Sequence, residues 1–518
     1  MLDLVVRDGQ IVDGSGAPAF RGWVGVVGDR IAGVGAGDAP DAARTIDAGG
    51  RVASPGFVDV HNHSDLSAMV DPWMRSALRQ GVTTVVVGNC GSSPWPLAGW
   101  GDSVLLASGD PEAMPQPDWS SWGEYLDALD AAEPAVNVAT LVGHGSIREE
   151  VLGLDRKRPT ADELGRMSSL AVGAVEEGAF GISTGLVYVP GMFADTDELA
   201  MIAGAVGLAG GLYASHIRGE GAHLFRAVDE ALGIGRRARL PVHVSHLKCE
   251  SERVWGRTEE LLARFHGTDD ISADQYPYAA WNSSLASLLP PWAPAPEVAR
   301  IAAKEHDRLR RAVEEGEPDF QSSVDGVGWD AIVIVEAAEA RWRGLDVASI
   351  AEELQVEPFD AMVSLLAGDV DTSCIGHAMR EDDVRAIAAD PTVFVASDAS
   401  AISPDGPAGS LPVHPREYGT FPRVLARYVR EDPVLTLERA IRKMSALPAE
   451  RFGLRGRGRL EEGALADIVV FDPATIADTA TYDAPHAYPE GLDLVVVNGR
   501  VAWDGGWGER AGRALRRG

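Results

Sequence analysis

Apolar residues are spaced in two different ways along the chain, and the spacing changes twice. The first fifty positions read as short strands and turns: Leu2 to Val6, a turn at Asp8-Gly9, Gln10 to Val12, then Trp23 to Val27 and Arg30 to Val34 around Gly28-Asp29. The last sixty do the same, with Ala466 to Asp472, Leu494 to Val497, a turn at Asn498-Gly499 and Val501 to Trp503. Neither end has helical periodicity, so the two are expected to close one small β domain. Between them, short β-type runs alternate with helical stretches. The β runs are Phe57–Val60, Thr83–Val87, Val136–Val142, Phe180–Thr184, Leu212–Ser215, Val242–Ser245, Ile271–Ala273 and Val393–Ala396; Glu198–Leu208, Ala222–Arg237 and Glu259–His266 are helical.

Alternating β and α predicts a parallel sheet, and eight such runs match a (β/α)₈ barrel. The last gap is long. It holds a Pro-rich piece, Leu289-Pro290-Pro291-Trp292-Ala293-Pro294, and helices over Glu297–Glu315 and Val347–Glu353. Functional loops of barrels follow the strands, so this gap reads as an insertion over the active face. The expected fold is α/β: a TIM-like (β/α)₈ barrel over 55–450 with an insertion at about 285–370 between strands 7 and 8. A β-sandwich built from 1–54 and 451–518 completes it.

Composition supports a large core, with 45% hydrophobic and 24% charged residues. The 518 residues carry 46 Lys+Arg against 77 Asp+Glu, a net charge of −31, which argues against nucleic acid or an anionic membrane as partner. The start, MLDLVVRDGQ, has a charge inside every short apolar run, and no stretch approaches a membrane span. Cys90, Cys249 and Cys374 cannot form a disulfide framework. These features suggest a soluble, cytoplasmic protein acting on a small molecule; oligomeric state is not legible.

Chemistry gathers where the β runs end. Phe57-Val58-Asp59-Val60-His61-Asn62-His63 runs a strand into His-x-His, and residues two apart in extended chain face one side, so both imidazoles can reach one metal. Other runs end in His216, in His246 and in Asp398, and Thr83 to Val87 leads to Cys90. A strand-end His is often structural, and a lone Cys is often a small core residue. Six metal-type ligands at strand ends together point to a metal site. Imidazole, thiolate and carboxylate suit zinc best. A catalytic zinc has three protein ligands plus water, so six candidates imply two metals or partial occupancy, and a thiolate could bridge two ions.

Pro55-Gly56-Phe57-Val58-Asp59-Val60-His61-Asn62-His63 resembles the first-strand signature of the amidohydrolase superfamily. Gly88-Asn89-Cys90-Gly91, Gly181-Ile182-Ser183-Thr184-Gly185, Tyr213-Ala214-Ser215-His216-Ile217-Arg218, Val244-Ser245-His246-Leu247-Lys248, Tyr276-Pro277-Tyr278 and His414-Pro415-Arg416-Glu417-Tyr418-Gly419-Thr420-Phe421-Pro422 resemble its N-acyl-D-amino-acid deacylase (D-aminoacylase) branch. The resemblance implies that Cys90, His216 and His246 hold a tight zinc. His61, His63 and Asp398, with Cys90 bridging, would form a second, weaker divalent site. It implies Asp398 as the general base that takes a proton from the attacking water and returns it to the leaving amine. Tyr188 would lie against the scissile carbonyl oxygen, and Lys248, Tyr276 and Arg416 would grip the substrate α-carboxylate. The implied activity is hydrolysis of N-acyl-D-amino acids; Trp281 and Leu285 fit a pocket for neutral or hydrophobic side chains and fit the core equally well. Ala279-Ala280-Trp281-Asn282-Ser283 departs from the family, which places small residues and a hydroxyl there.

Other residues receive other readings. His243 should point away from the metal, and His144 fits a supporting or a structural role equally. His223, His266, His306 and His486 lie in polar surroundings and read as solvated, and His377 is left without a role. Gly181-Ile182-Ser183-Thr184-Gly185 also fits the G-x-S-x-G nucleophile pattern, against a fuller metal set. Gly33-Val34-Gly35-Ala36-Gly37 lacks the following helix of a dinucleotide loop. Rival functions are a dipeptidase cleaving before a C-terminal D residue and a hydantoinase- or dihydropyrimidinase-like cyclic amide hydrolase. The latter needs a carboxylated lysine at strand four, and Phe180 to Gly185 has none. A non-catalytic barrel acting as a binding protein is the rival from outside enzymology.

Overall fold

The computed structural model describes residues 1–99, 117–266, 271–406, 409–411 and 413–518. Eight parallel strands form one continuous path: β1 (Phe57–Asp59), β2 (Val82–Val87), β3 (Asn137–Gly143), β4 (Gly181–Gly185), β5 (Leu212–His216), β6 (Val242–Val244), β7 (Ile271–Gln275) and β8 (Val393–Val395). Each expected β run is a strand of this sheet, displaced at its ends by one or two residues. Except for Leu212, every residue of the eight strands is buried. That explains why they read as near-continuous apolar runs, since a parallel sheet is covered on both faces.

The sheet closes without a full ladder between β1 and β8. These strands meet just past their ends, where the His63 N–H donates to Ala399 O and the Asp398 N–H to His61 O, both at 2.8 Å. The buried Asp59 carboxylate reinforces the seam. It accepts from the Ser397 N–H at 2.9 Å, from the Ser397 hydroxyl, and from Asn62 Nδ2 at 3.0 Å. Closure therefore places His61, His63 and Asp398 side by side. Val58, Val86, Leu141, Phe180, Ala214 and Phe394 fill the interior below them.

Helices cover the outside, among them Ala161–Glu176, Thr196–Leu208 and Leu224–Ala238. Their starts follow local chemistry: Thr160 and Glu163 form a reciprocal capping box, and the Asp195 side chain accepts from the N–H groups of Asp197 and Glu198. Among the described residues, no helix is long and apolar enough to cross a membrane.

Both chain ends meet in a second eight-stranded sheet. Val52–Pro55 pairs antiparallel with Ile468–Phe471, joining the N-terminal strands to Leu492–Val497 and Arg500–Trp503. Leu4, Val6, Val24, Ile468, Val470 and Leu494 lie in its separate core. The final residues leave this sheet and run along the barrel: Leu515 N–H donates to Val138 O, and Val138 N–H to Arg513 O. The connection between β7 and β8 contains its own antiparallel sheet of Trp281–Ser284, Ser373–Gly376 and Ile332–Glu336, with helices that include Val298–Glu315 and Pro358–Gly368. Trp281-Asn282-Ser283-Ser284 is thus a strand paired with residues some ninety positions later in the chain.

Candidate metal centre

The ends of β1, β2, β5, β6 and β8 deliver six ligand-type side chains to one place. Two groups share the Cys90 thiol: His61, His63, Cys90 and Asp398 on one side, and Cys90, His216 and His246 on the other. Within each group the ligand atoms lie within 4.8 Å of one another. His61 Nε2 stands 3.3 Å from Cys90 Sγ and 3.3 Å from Asp398 Oδ1, and His63 Nε2 is 3.0 Å from the same oxygen. On the other side His246 Nε2 is 3.6 Å from Cys90 Sγ and 2.9 Å from His216 Nδ1. Two nitrogens and a thiolate fit a structural or catalytic zinc, and the imidazole–carboxylate set fits a second divalent ion.

The backbone is bent to achieve this. Cys90, His246 and Asp398 have φ values of 53°, 36° and 53°, a left-handed conformation that costs non-glycine residues energy and is typical of functional sites. Two glycines make room for the Cys90 turn. A Cβ at Gly88 would sit 1.8 Å from Leu141 O, and one at Gly185 would sit 1.9 Å from Cys90 O. Ser183, centre of the nucleophile-like pattern, accepts from the Gly91 N–H at 3.0 Å and donates to Gly88 O. It clamps the Cys90 turn, and its one hydroxyl hydrogen is committed there.

The charges suit metal binding. Burial alone would raise the Cys90 thiol, but the imidazoles of His61, His216 and His246 hold it well below its ordinary range, so it is a thiolate. By contrast, burial pushes Cys249 up to about 12. The Asp398 carboxyl is likewise held well below the usual range against its burial, by Arg416, His61 and His246.

Around this centre, Tyr188 sets its ring 5.0 Å from His216 in edge contact, with its hydroxyl 3.4 Å from Ser283 Oγ of the inserted sheet. Burial keeps that phenol protonated. Arg416 Nη1 is 2.8 Å from Asp398 Oδ2, and its guanidinium lies 4.9 Å over the Tyr276 ring. The ion pair is close but misaligned, so the buried Nε and Nη1 both lack a hydrogen-bond acceptor, and the Tyr276 hydroxyl lacks a partner too. Lys248 differs from its expected part. Its Nζ donates to Glu220 Oε1 at 2.7 Å and lies 2.8 Å from His246 Nδ1, so its charge is already matched inside the protein.

Several other readings change. Leu285 is fully buried in the main core, and Trp281 packs across Gly376, so neither is free pocket surface. His144 joins Arg148 on the Glu198 carboxylate at 3.1 Å and stays outside the ligand cluster. His486 is held by the Tyr418 hydroxyl and Leu411 O instead of solvent. His266 and His306 each pair with a carboxylate, Asp390 and Asp360. His377 is exposed against the Tyr482 ring. The sequence reading passed over Asp59, Glu220 and Asp274. Each is fully buried or nearly so, and for Asp59 a carboxylate inside the otherwise apolar run Phe57–Val60 was the available signal.

The family model described as "Amidohydrolase family" matches residues 44–316 and 331–502. An N-acyl-D-glutamate deacylase of Alcaligenes xylosoxydans xylosoxydans is 38% identical over 523 residues, covering 100% of this chain and 97% of that protein. A D-aminoacylase of the same organism is 36% identical over 522 residues, 99% of this chain and 98% of that one. The solved N-acyl-D-glutamate deacylase of Bordetella bronchiseptica, complexed with zinc and a phosphonate mimic of the reaction's tetrahedral intermediate, is similar over 100% of both chains. Its TM-score is 0.83 at 36% identity.

Proposed function

This chain belongs to the amidohydrolase family, and from that premise we propose that it is a zinc-dependent hydrolase that removes the acyl group from N-acyl-D-amino acids with neutral or apolar side chains. One observation carries the reading: two ligand groups share Cys90, and their Asp398 lies against a buried Arg416 whose Nε and Nη1 donate to no acceptor. The D configuration is supported by the relatives' names.

Cys90, His216 and His246 would hold the tight zinc, and His61, His63 and Asp398 the weaker ion with Cys90 between them. Such an ion supplies what amide hydrolysis lacks at neutral pH, an acidified water and a polarised carbonyl. The protein's own groups do the rest. Asp398, ionised and lying between His63 and Arg416, takes a proton from the attacking water as the C–O bond forms. It returns that proton to the amide nitrogen as the C–N bond breaks. Tyr188, kept as a neutral phenol by burial, donates to the carbonyl oxygen where negative charge develops. The free donors of Arg416 and the Tyr276 hydroxyl receive the α-carboxylate.

The side-chain preference follows from charge. Among the described residues, Arg416 and Lys248 lie beside the cluster, and each is matched by a carboxylate, Asp398 and Glu220. A single substrate carboxylate can be satisfied by Arg416's spare donors, but a second would be buried without a cation, at a cost of several kcal/mol. Zinc-loaded protein should therefore release amine from N-acetyl-D-leucine much faster than from N-acetyl-D-glutamate, and chelation should stop both. Faster turnover of the glutamate derivative would overturn the neutral preference.

A further inference from the structure

His243 and Asp274 lie beneath the metal centre. Asp274, on β7, is fully buried and reaches both ligand groups at once. Its Oδ1 accepts from the backbone N–H of His246 at 2.8 Å. Its Oδ2 is 2.7 Å from His243 Nε2 and 3.4 Å from His61 Nδ1. His243 Nδ1 faces the Ser272 hydroxyl at 2.8 Å, and Arg451 Nε donates to the same oxygen at 2.8 Å. This chain of contacts orients His243 with its Nε2–H on Asp274. The carboxylate is acceptor-only, so the His61 nitrogen facing it must also carry a hydrogen.

We infer that Asp274 is a positioning residue for both metal sites, fixing His61 in the tautomer whose bare Nε2 faces Cys90 and Asp398 and holding His246 in its left-handed turn. The two effects use different oxygens. Through Oδ2, a proton fixed on Nδ1 leaves the Nε2 lone pair free for a metal, which is how outer carboxylates orient ligating imidazoles. Through Oδ1, the bond to the His246 N–H supports a φ of 36° that an imidazole residue adopts only when its surroundings impose it. His243, facing away from the ligand cluster as its alternation suggests, acts through the carboxylate by steadying Oδ2.

The consequence is specific to an amide replacement. Asp274→Asn has nearly the same shape but one acceptor instead of two. If its oxygen keeps the His246 N–H, its amino group faces His61 Nδ1, which must then accept, and the proton moves to Nε2 where a metal should bind. If the amide is turned the other way, two donors confront each other at His246. In either orientation one metal site loses a ligand's support.

The inference rests on the metal reading of this centre, and its test separates the two. Zinc affinities of the two sites are measured by competition with a chelator, together with the visible absorption of cobalt(II)-loaded protein, for wild type and Asp274→Asn at a temperature where both are folded by circular dichroism. The expected result is a 10- to 100-fold loss of affinity at one site and an altered cobalt spectrum. Wild-type affinities at both sites in the folded variant would overturn the inference and leave the metal reading intact. Failure of the wild type to bind zinc would overturn both. Should the variant not fold, ¹⁵N-histidine spectra of the zinc-loaded wild type decide: the His61 signal, identified by its loss in His61→Asn, should show a protonated Nδ1. An unprotonated Nδ1 would refute it.

Discussion

Arg416→Lys separates recognition of the substrate from support of Asp398. Arg416 is buried, with 5% of its side chain exposed, and its Nη1 lies 2.8 Å from Asp398 Oδ2. Lysine keeps a positive charge beside Asp398 but loses the planar fork. The donors at stake are Nε and Nη1, both buried and without acceptors. A charge-assisted hydrogen bond is worth about 1.5–3 kcal/mol. Lysine replaces part of that with a single point contact, so the expected loss is about 2–3 kcal/mol, or about 30- to 150-fold in kcat/KM. The assay is amine release from N-acetyl-D-leucine and from N-acetyl-D-leucinamide, which has no α-carboxylate. The loss should fall on the acid and nearly vanish on the amide, and most of it should appear in KM. Equal losses on both substrates would show that Arg416 acts through Asp398 alone, and the carboxylate contact would have to be sought elsewhere.

Other perturbations probe separate parts of the molecule. Asp398→Asn should lower kcat by about 10²–10⁴-fold while zinc content at Cys90, His216 and His246 stays near wild type by elemental analysis; near-normal kcat would remove Asp398 as the base. Cys90→Ser should reduce the zinc retained after dialysis, and unchanged stoichiometry would contradict a ligand role. Lys443, almost wholly buried, is pushed by desolvation down to about 7 and donates to Asp390 O. The unfolded chain then binds the extra proton between pH 7 and 10.5, so this group makes the wild type gain stability as pH rises through that window, by at most about 1.4 kcal/mol per unit. In thermal unfolding, the stability of wild type relative to Lys443→Met should rise from pH 7 to pH 9.5; a pH-independent difference would refute the buried-amine reading.

The barrel was legible because a parallel strand buried on both faces leaves a short apolar run, and the ligands sit at or within three residues past the ends of those runs. His61, Cys90, His216, His246 and Asp398 could be picked out for that reason. What the sequence hid depends on partners far away along the chain. Asp274 acquires meaning only beside His61 and His243, and Lys248 loses its expected freedom only because Glu220, 28 residues earlier, turns back onto it. Trp281 offered a hint of an apolar pocket. Pairing with Ser373–Gly376 makes its segment a strand, and no local pattern announces a partner at that distance. Ser183 shows the reverse error that a short motif invites: the G-x-S-x-G pattern is present, but the hydroxyl serves the Cys90 turn.

The central claim is hydrolysis of N-acyl-D-amino acids, and the decisive measurement is amine release by zinc-loaded protein from the paired enantiomers of N-acetylleucine, N-acetylmethionine and N-acetylphenylalanine. Release from the D form alone, abolished by chelation and restored by zinc, is the expected result. No release from either enantiomer, or release from the L form, would contradict it.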